Sequence, residues 1–222
     1  MRLFDEPKDA TETKKSRRVL VETLIVFSLT VIPSLLWPSF KIVSVLLPIA
    51  YLLIERRLRN RPWAELGFEF RGIMPALVVN WFLVLIVLGI QLSVALLART
   101  LWPAFLTHIE SRIPLVDSTQ LIPLFGMLVL TTLGEEMAFR SLFQERLSWF
   151  IKTPIAILAV SVVFGLMHWA QGNPVVAIVD VALVVLDSII YGIIFSREKN
   201  LYVAWFTHFL SDVVAIILFF VL

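Results

Sequence analysis

The chain has 222 residues, 59% of them hydrophobic and 16% charged, with a net charge of +2 and a mean hydropathy of +0.90. Soluble domains carry about 25% charged residues, so this composition excludes an ordinary soluble enzyme and points to a membrane protein, and the small positive charge requires no nucleic-acid partner. The absence of cysteine excludes disulfides, thiolate metal sites, a cysteine nucleophile and lipid attachment to the chain's own cysteine.

Residues 1–18, MRLFDEPKDATETKKSRR, are polar and read as a cytoplasmic tail. No small-residue cleavage site follows them, so they do not form a removable signal. Beyond the tail, apolar stretches long enough to cross about 30 Å of hydrocarbon alternate with short charged runs. They predict spans near 19–37, 38–54, 73–98, 119–147, 153–170, 175–195 and 200–222. The expected fold class is all-α: one polytopic membrane bundle over 19–222, with about seven transmembrane helices and a polar cavity within it. The second span is short, and Lys41 at its edge is expected to snorkel. Lys8, Lys14, Lys15, Arg17, Arg18, Arg56, Arg57, Arg59, Arg61, Arg146, Lys152, Arg197 and Lys199 all fall on one side of such a bundle, against Lys41, Arg99 and Arg112 on the other. The positive-inside rule then places the N-terminus inside and the C-terminus outside.

Ionisable side chains near mid-bilayer cost about 2.5–3.5 kcal/mol each, yet several sit in the later spans. Gly134-Glu135-Glu136-Met137-Ala138-Phe139-Arg140 lies in the fourth. Glu136 and Arg140 are four apart and share a helix face, while Glu135 is rotated about 100° away. One carboxylate is thus placed to pair with arginine and the other to face a cavity, where burial favours a general base. Phe164 and His168 share a face of the fifth span, and His208 and Asp212 a face of the seventh. Aspartate can orient an imidazole or join it in binding a cation. One glutamate and two histidines from three helices suit the activation of water, with or without a metal. No His-Glu-x-x-His occurs, so this is not a zincin helix.

Glu135-Glu136-x-x-x-Arg140, then Phe164-x-x-x-His168, then His208-x-x-x-Asp212, in successive spans, resembles the CPBP family. These are the type II CAAX prenyl endopeptidases and their bacterial relatives, also called ABI proteins. Ala64-Glu65-Leu66-Gly67-Phe68 resembles a segment that precedes the family's core helices, so the likeness covers about 60–222. The resemblance implies an intramembrane endopeptidase. In it Glu135 and His168 would activate water, His208 and Asp212 would stabilise the oxyanion or complete the polar cage, and Glu136 and Arg140 would hold Glu135. Phe164 would support the site. It leaves open a divalent metal such as zinc on Glu135, His168 and His208, or a metal-free glutamate–histidine mechanism. Asp212 departs from the Asn of eukaryotic members, and a charged Asp cannot donate to an oxyanion. The implied substrate is a peptide or membrane protein, a lipidated C-terminal tail being the class in the family name. The small size suggests a bacterial cell membrane.

Other polar residues read as structural. His108, with Glu110 and Arg112, is expected in a solvated loop. Asp180 and Asp187 share a face of the sixth span and pack as polar groups. Glu22 is expected at the interface, and Asn80 and Gln91 in interhelical hydrogen bonds. The run Glu55–Arg61 reads as a positive-inside anchor, and Trp37, Trp63, Trp102 and Trp149 as interfacial residues. Counted from the inner loops, His168 lies about 15 residues up its helix, roughly 22 Å, whereas His208 lies about 8 residues up, roughly 12 Å; tilt or an irregular turn must bring them together. Two other classes use the same residues: a proton-coupled transporter, which predicts broken helices, and a non-proteolytic immunity or scaffold protein.

Overall fold

The computed structural model describes residues 10–37, 40–112 and 121–221. The first half of the tail, the 113–120 connection and the Lys41 side chain lie outside the described parts. Among the described residues there are helices and no strand: α1 (Ala10–Leu36), α2 (Lys41–Leu58), α3 (Ile73–Val79), α4 (Trp81–Leu101), α5 (Pro103–Arg112), α6 (Leu121–Glu136), α7 (Glu145–Leu147), α8 (Thr153–Met167), α9 (Pro174–Glu198) and α10 (Leu201–Val221). A π-helical segment, Met137–Gln144, joins α6 to α7. Helix α1 begins inside the expected tail.

Five segments among these are long and apolar enough to cross a membrane: Arg17–Leu36, Trp81–Leu101, Ile122–Leu147, Pro174–Glu198 and Leu201–Leu218. The other two expected spans fall short for different reasons. Helix α2 carries Glu55, Arg56 and Arg57 in its last turns. Helix α8 has 15 residues, which at 1.5 Å per residue reach about 22 Å, less than the hydrocarbon thickness. On α4, Trp81, Phe82, Leu85, Leu92, Leu96 and Leu97 are exposed. An apolar face of that extent belongs against lipid rather than water.

Local chemistry sets the helix ends. The Asn173 side chain accepts from the backbone N–H of Val175 at 2.9 Å, and Pro174 occupies the first helical position, where its missing N–H costs nothing. The Trp63–Leu66 turn ends on Gly67 at φ +84°, a conformation suited to glycine. This turn fastens the bundle: the Leu66 carbonyl accepts from Ser141 Oγ at 2.6 Å, and the Gly67 carbonyl from the Leu201 N–H at 2.7 Å.

Helix α10 packs against α4, α6 and α9, and α8 lies along α9. At Gly165 the two helices touch so closely that a Cβ would stand 2.4 Å from Val185 Cγ2 and 3.0 Å from the Val181 carbonyl oxygen. Leu52, Phe139, Leu142, Phe143, Val160 and Phe164 form the core where α2, the π segment and α8 meet.

The Glu55–Arg61 run is more than an anchor. Glu55 is buried and pairs with Arg59 at 2.7 Å, Arg61 at 3.1 Å and Arg146. Glu22 pairs with Arg18 at 2.8 Å and Arg59 at 2.6 Å, and accepts from Tyr51 Oη at 2.9 Å. A buried carboxylate needs such partners. Partial burial would lower the pKa of Arg59, but Glu55 and Glu22 outweigh it and hold the pKa above its ordinary value. The network gathers the N-terminal part of α1, the C-terminal end of α2 and α7, just beyond the π segment, at one end of the molecule. The Lys199–Glu145 pair adds the C-terminal end of α9.

Candidate active site

The site is built on the π segment. Its i→i+5 hydrogen bonds put more residues into each turn than an α-helix has; the Glu145 N–H, for example, bonds to the Arg140 carbonyl. Ala138 through Gln144 are all buried, so this stretch faces protein on every side. Arg140 Nε donates to Glu136 Oε2 at 3.1 Å, Nη1 to Gln144 Oε1 at 3.3 Å and Nη2 to Ser188 Oγ at 2.8 Å. Gln144 in turn donates to the Gly192 carbonyl at 2.9 Å. The guanidinium is thus fixed against α9 with each of its nitrogens engaged.

Glu136 has 0% exposure, and its second oxygen accepts from His208 Nδ1 at 3.0 Å. An imidazole nitrogen against a carboxylate must carry the proton. His208 Nε2 therefore points the other way, 3.8 Å from Glu135 Oε2 and 3.7 Å from Asp212 Oδ2. The His208 ring is 5% exposed. Tyr191 stacks on it at 4.7 Å and 19°, and Phe164 meets it edgewise at 5.9 Å.

Glu135 lines a cavity of about 820 Å³ together with His168, Phe139, Phe164 and Trp169, closed on one side by Val45, Leu46 and Ile49 of α2. Helix α8 stops at Met167, leaving His168 on its C-terminal cap. There Nδ1 lies 2.8 Å from the Phe164 carbonyl oxygen. That oxygen can only accept, so the proton is on Nδ1 and, in the neutral ring, Nε2 carries the lone pair. The Phe164 ring touches both imidazoles, at 4.5 Å for His168 and 5.9 Å for His208. The depth difference counted from the inner loops is thus bridged by the Phe164 ring, which meets both imidazoles.

A second cavity of about 290 Å³ is lined by Gln91, Arg99, Asp180, Asp187 and Asp212 among apolar side chains. Gln91 Nε2 donates to Asp187 Oδ2 at 2.7 Å, and Asn80 Nδ2 to Glu198 Oε1 at 2.7 Å, both between helices. His108 requires a correction. It is not in a solvated loop but is 7% exposed on α5, with Nε2 3.1 Å from Asp180 Oδ2. The polar neighbours Glu110 and Arg112 suggested water, but α5 turns its His108 face onto α9. Among the described residues, no three His, Asp or Glu side chains are grouped to hold a metal ion. No step below passes through a metal.

Sequence reasoning missed Tyr191, Ser188, Gln144 and Gly192. Gln144 stood eight residues beyond Glu136 in a stretch that a regular helix would have turned partly outward. The α9 residues belong to no motif, although Ser188 and Tyr191 at i, i+3 are the polar face of an apolar helix.

Residues 117–214 match the family described as Type II CAAX prenyl endopeptidase Rce1-like. No curated protein and no solved structure matches the chain. The matched segment holds all three motifs, while the Leu66-Gly67 turn lies before it. The match supports the recognition of residues 117–214 as a segment similar to the Rce1-like type II CAAX prenyl endopeptidases.

Proposed function

We propose that this chain hydrolyses a peptide bond inside the membrane with a water activated by Glu135 and His168. The observation that carries the reading is the division of labour between neighbours. Glu136 has both oxygens engaged by His208 and Arg140, whereas Glu135 lines the larger cavity beside His168. The Glu135 carboxylate takes a proton from water, and the water oxygen attacks the carbonyl carbon. The carbonyl oxygen becomes an oxyanion. His208 Nε2–H donates to it, its ring positively charged because Nδ1–H is held by Glu136. Asp212, an acceptor, keeps Nε2 aimed at this point rather than acting as a donor itself. His168 Nε2 accepts a hydrogen bond from the attacking water. When the C–N bond breaks, the proton on Glu135 passes to the leaving amine.

The apolar α2 wall of the cavity suits an apolar or lipidated segment of a peptide or membrane-protein substrate. The gathering of Glu22, Arg59, Arg146 and Lys199 at one end of the molecule supports a cytoplasmic N-terminus. The direct test is cleavage of a quenched peptide library by the purified protein. Glu135→Gln and His168→Ala should each lower kcat by about 100- to 10,000-fold, the usual contribution of acid–base groups. Undiminished cleavage by both would overturn the mechanism. Comparing new protein N-termini in wild-type and Glu135→Gln membranes would identify the substrate.

A further inference from the structure

One hydrogen bond does not fix an imidazole. The bond from His208 Nδ1 to Glu136 leaves the ring free to swing about that contact, and a swing carries Nε2 away from the point between Glu135 and Asp212. Asp212 Oδ2 at 3.7 Å and Glu135 Oε2 at 3.8 Å attract Nε2 but lie beyond hydrogen-bond distance, so the plane of the ring is set by what meets its faces. Tyr191 lies nearly parallel to one of them, at 4.7 Å and 19°, and Phe164 approaches edgewise at 79°. Tyr191 is 2% exposed, and α9 is pinned on either side of it. Ser188, three residues earlier, accepts from Arg140, and the carbonyl of Gly192, the next residue, accepts from Gln144. The same two residues, Arg140 and Gln144, belong to the segment that carries Glu136. The wall bearing Tyr191 and the carboxylate holding Nδ1 are thus locked into one frame.

We infer that Tyr191 is a positioning residue for the hydrolysis: its ring fixes the plane of His208, so that Nε2 stays aimed at the developing oxyanion. The inference rests on the reaction proposed above. The negatively polarised face of the phenol ring also attracts the positive imidazolium that the oxyanion requires, so the stack favours the working form of His208 as well as its direction. Ring geometry, rather than a reacting atom, is the contribution.

The chain contains three histidines, so protein labelled with ¹⁵N in the imidazoles reports on His208 with little overlap. Wild type and Tyr191→Phe should show His208 as one fixed imidazolium, with a proton on both Nδ1 and Nε2. Tyr191→Leu, and Tyr191→Met as a better filler of the space, should show averaged or broadened His208 signals. Both should lose about 10- to 100-fold in kcat, the scale of a misplaced group, with KM changed less than about twofold because ground-state contacts are kept. Phenylalanine should restore most of the turnover. Unaltered His208 signals in the Leu and Met variants would overturn the inference, as would a Phe variant as inactive as the Leu variant. If the wild type cleaves nothing, the reaction reading fails, while the ring spectra still decide the role of Tyr191 in holding His208.

Discussion

At Glu135 and Glu136, two adjacent and chemically identical side chains are separated by a fraction of a helical turn into different electrostatic environments. Glu136 and Arg140 form a pair with 0% exposure on both sides. Removing one member of such a pair leaves a buried charge and costs about 3–5 kcal/mol. Arg140→Met should therefore lower the thermal unfolding midpoint, followed by the intrinsic fluorescence of the seven tryptophans. The double change Arg140→Met with Glu136→Gln should recover part of the loss. Glu135→Gln, one residue away, should leave the midpoint in place while abolishing cleavage. These pairings were legible in the sequence because i, i+4 spacing survives in almost any helix: Glu136 with Arg140, Phe164 with His168 and His208 with Asp212 are all neighbours in the structure. His108 was not legible. A histidine flanked by charged residues looks solvated, and its partner Asp180 stands 72 residues away.

Helices meet here through small residues and single polar ties. Gly165 admits α9 so closely that a methyl group collides with Val185 and the Val181 backbone. Overpacking of this kind costs about 1–3 kcal/mol. Gly165→Ala should lower both stability and turnover, because α8 ends in His168. Adding Val185→Ala should return part of each, the carbonyl contact remaining. Helix α5 is tied to α9 by the His108–Asp180 hydrogen bond, and it contributes Phe105, Leu106 and Ile109 to the second cavity and Ser111 to the first. His108→Ala should cost about 1–3 kcal/mol and speed amide hydrogen exchange in Pro103–Arg112 relative to α9. Spans were readable from apolar length, but the irregularities were not. Hydrophobic run length cannot show that α8 stops at 15 residues, nor that the segment after Glu136 winds as a π-helix, since that is a change of hydrogen-bond partner and not of apolar length.

For the whole molecule the distribution of basic residues and the ion network make one statement. Glu22, Glu55, Arg59, Arg61, Arg146 and Lys199 gather at one end. With no native cysteine, single cysteines can be placed without background. Cysteines replacing Arg57 and Arg197 should react with an impermeant maleimide from the cytoplasmic face of membrane vesicles, and one replacing Trp37 from the opposite face. Labelling of the first two from outside would reverse the topology.

The π segment links these two ends in phase. It lies between Glu135, which faces the cavity, and Arg146, which reaches Glu55. Its wider winding rotates everything after Gln144 back from where a regular helix would carry it. Deleting one residue between Met137 and Gln144 would let the chain relax to ordinary helical pitch, a locally favourable change. Yet the two ends would then be out of step, and the bundle would have to choose between seating Arg146 on Glu55 and seating Glu135 beside His168. The irregular winding is in this sense a timing element, set so that the closing of the basal charges and the aiming of the catalytic carboxylate occur at the same angle of one helix.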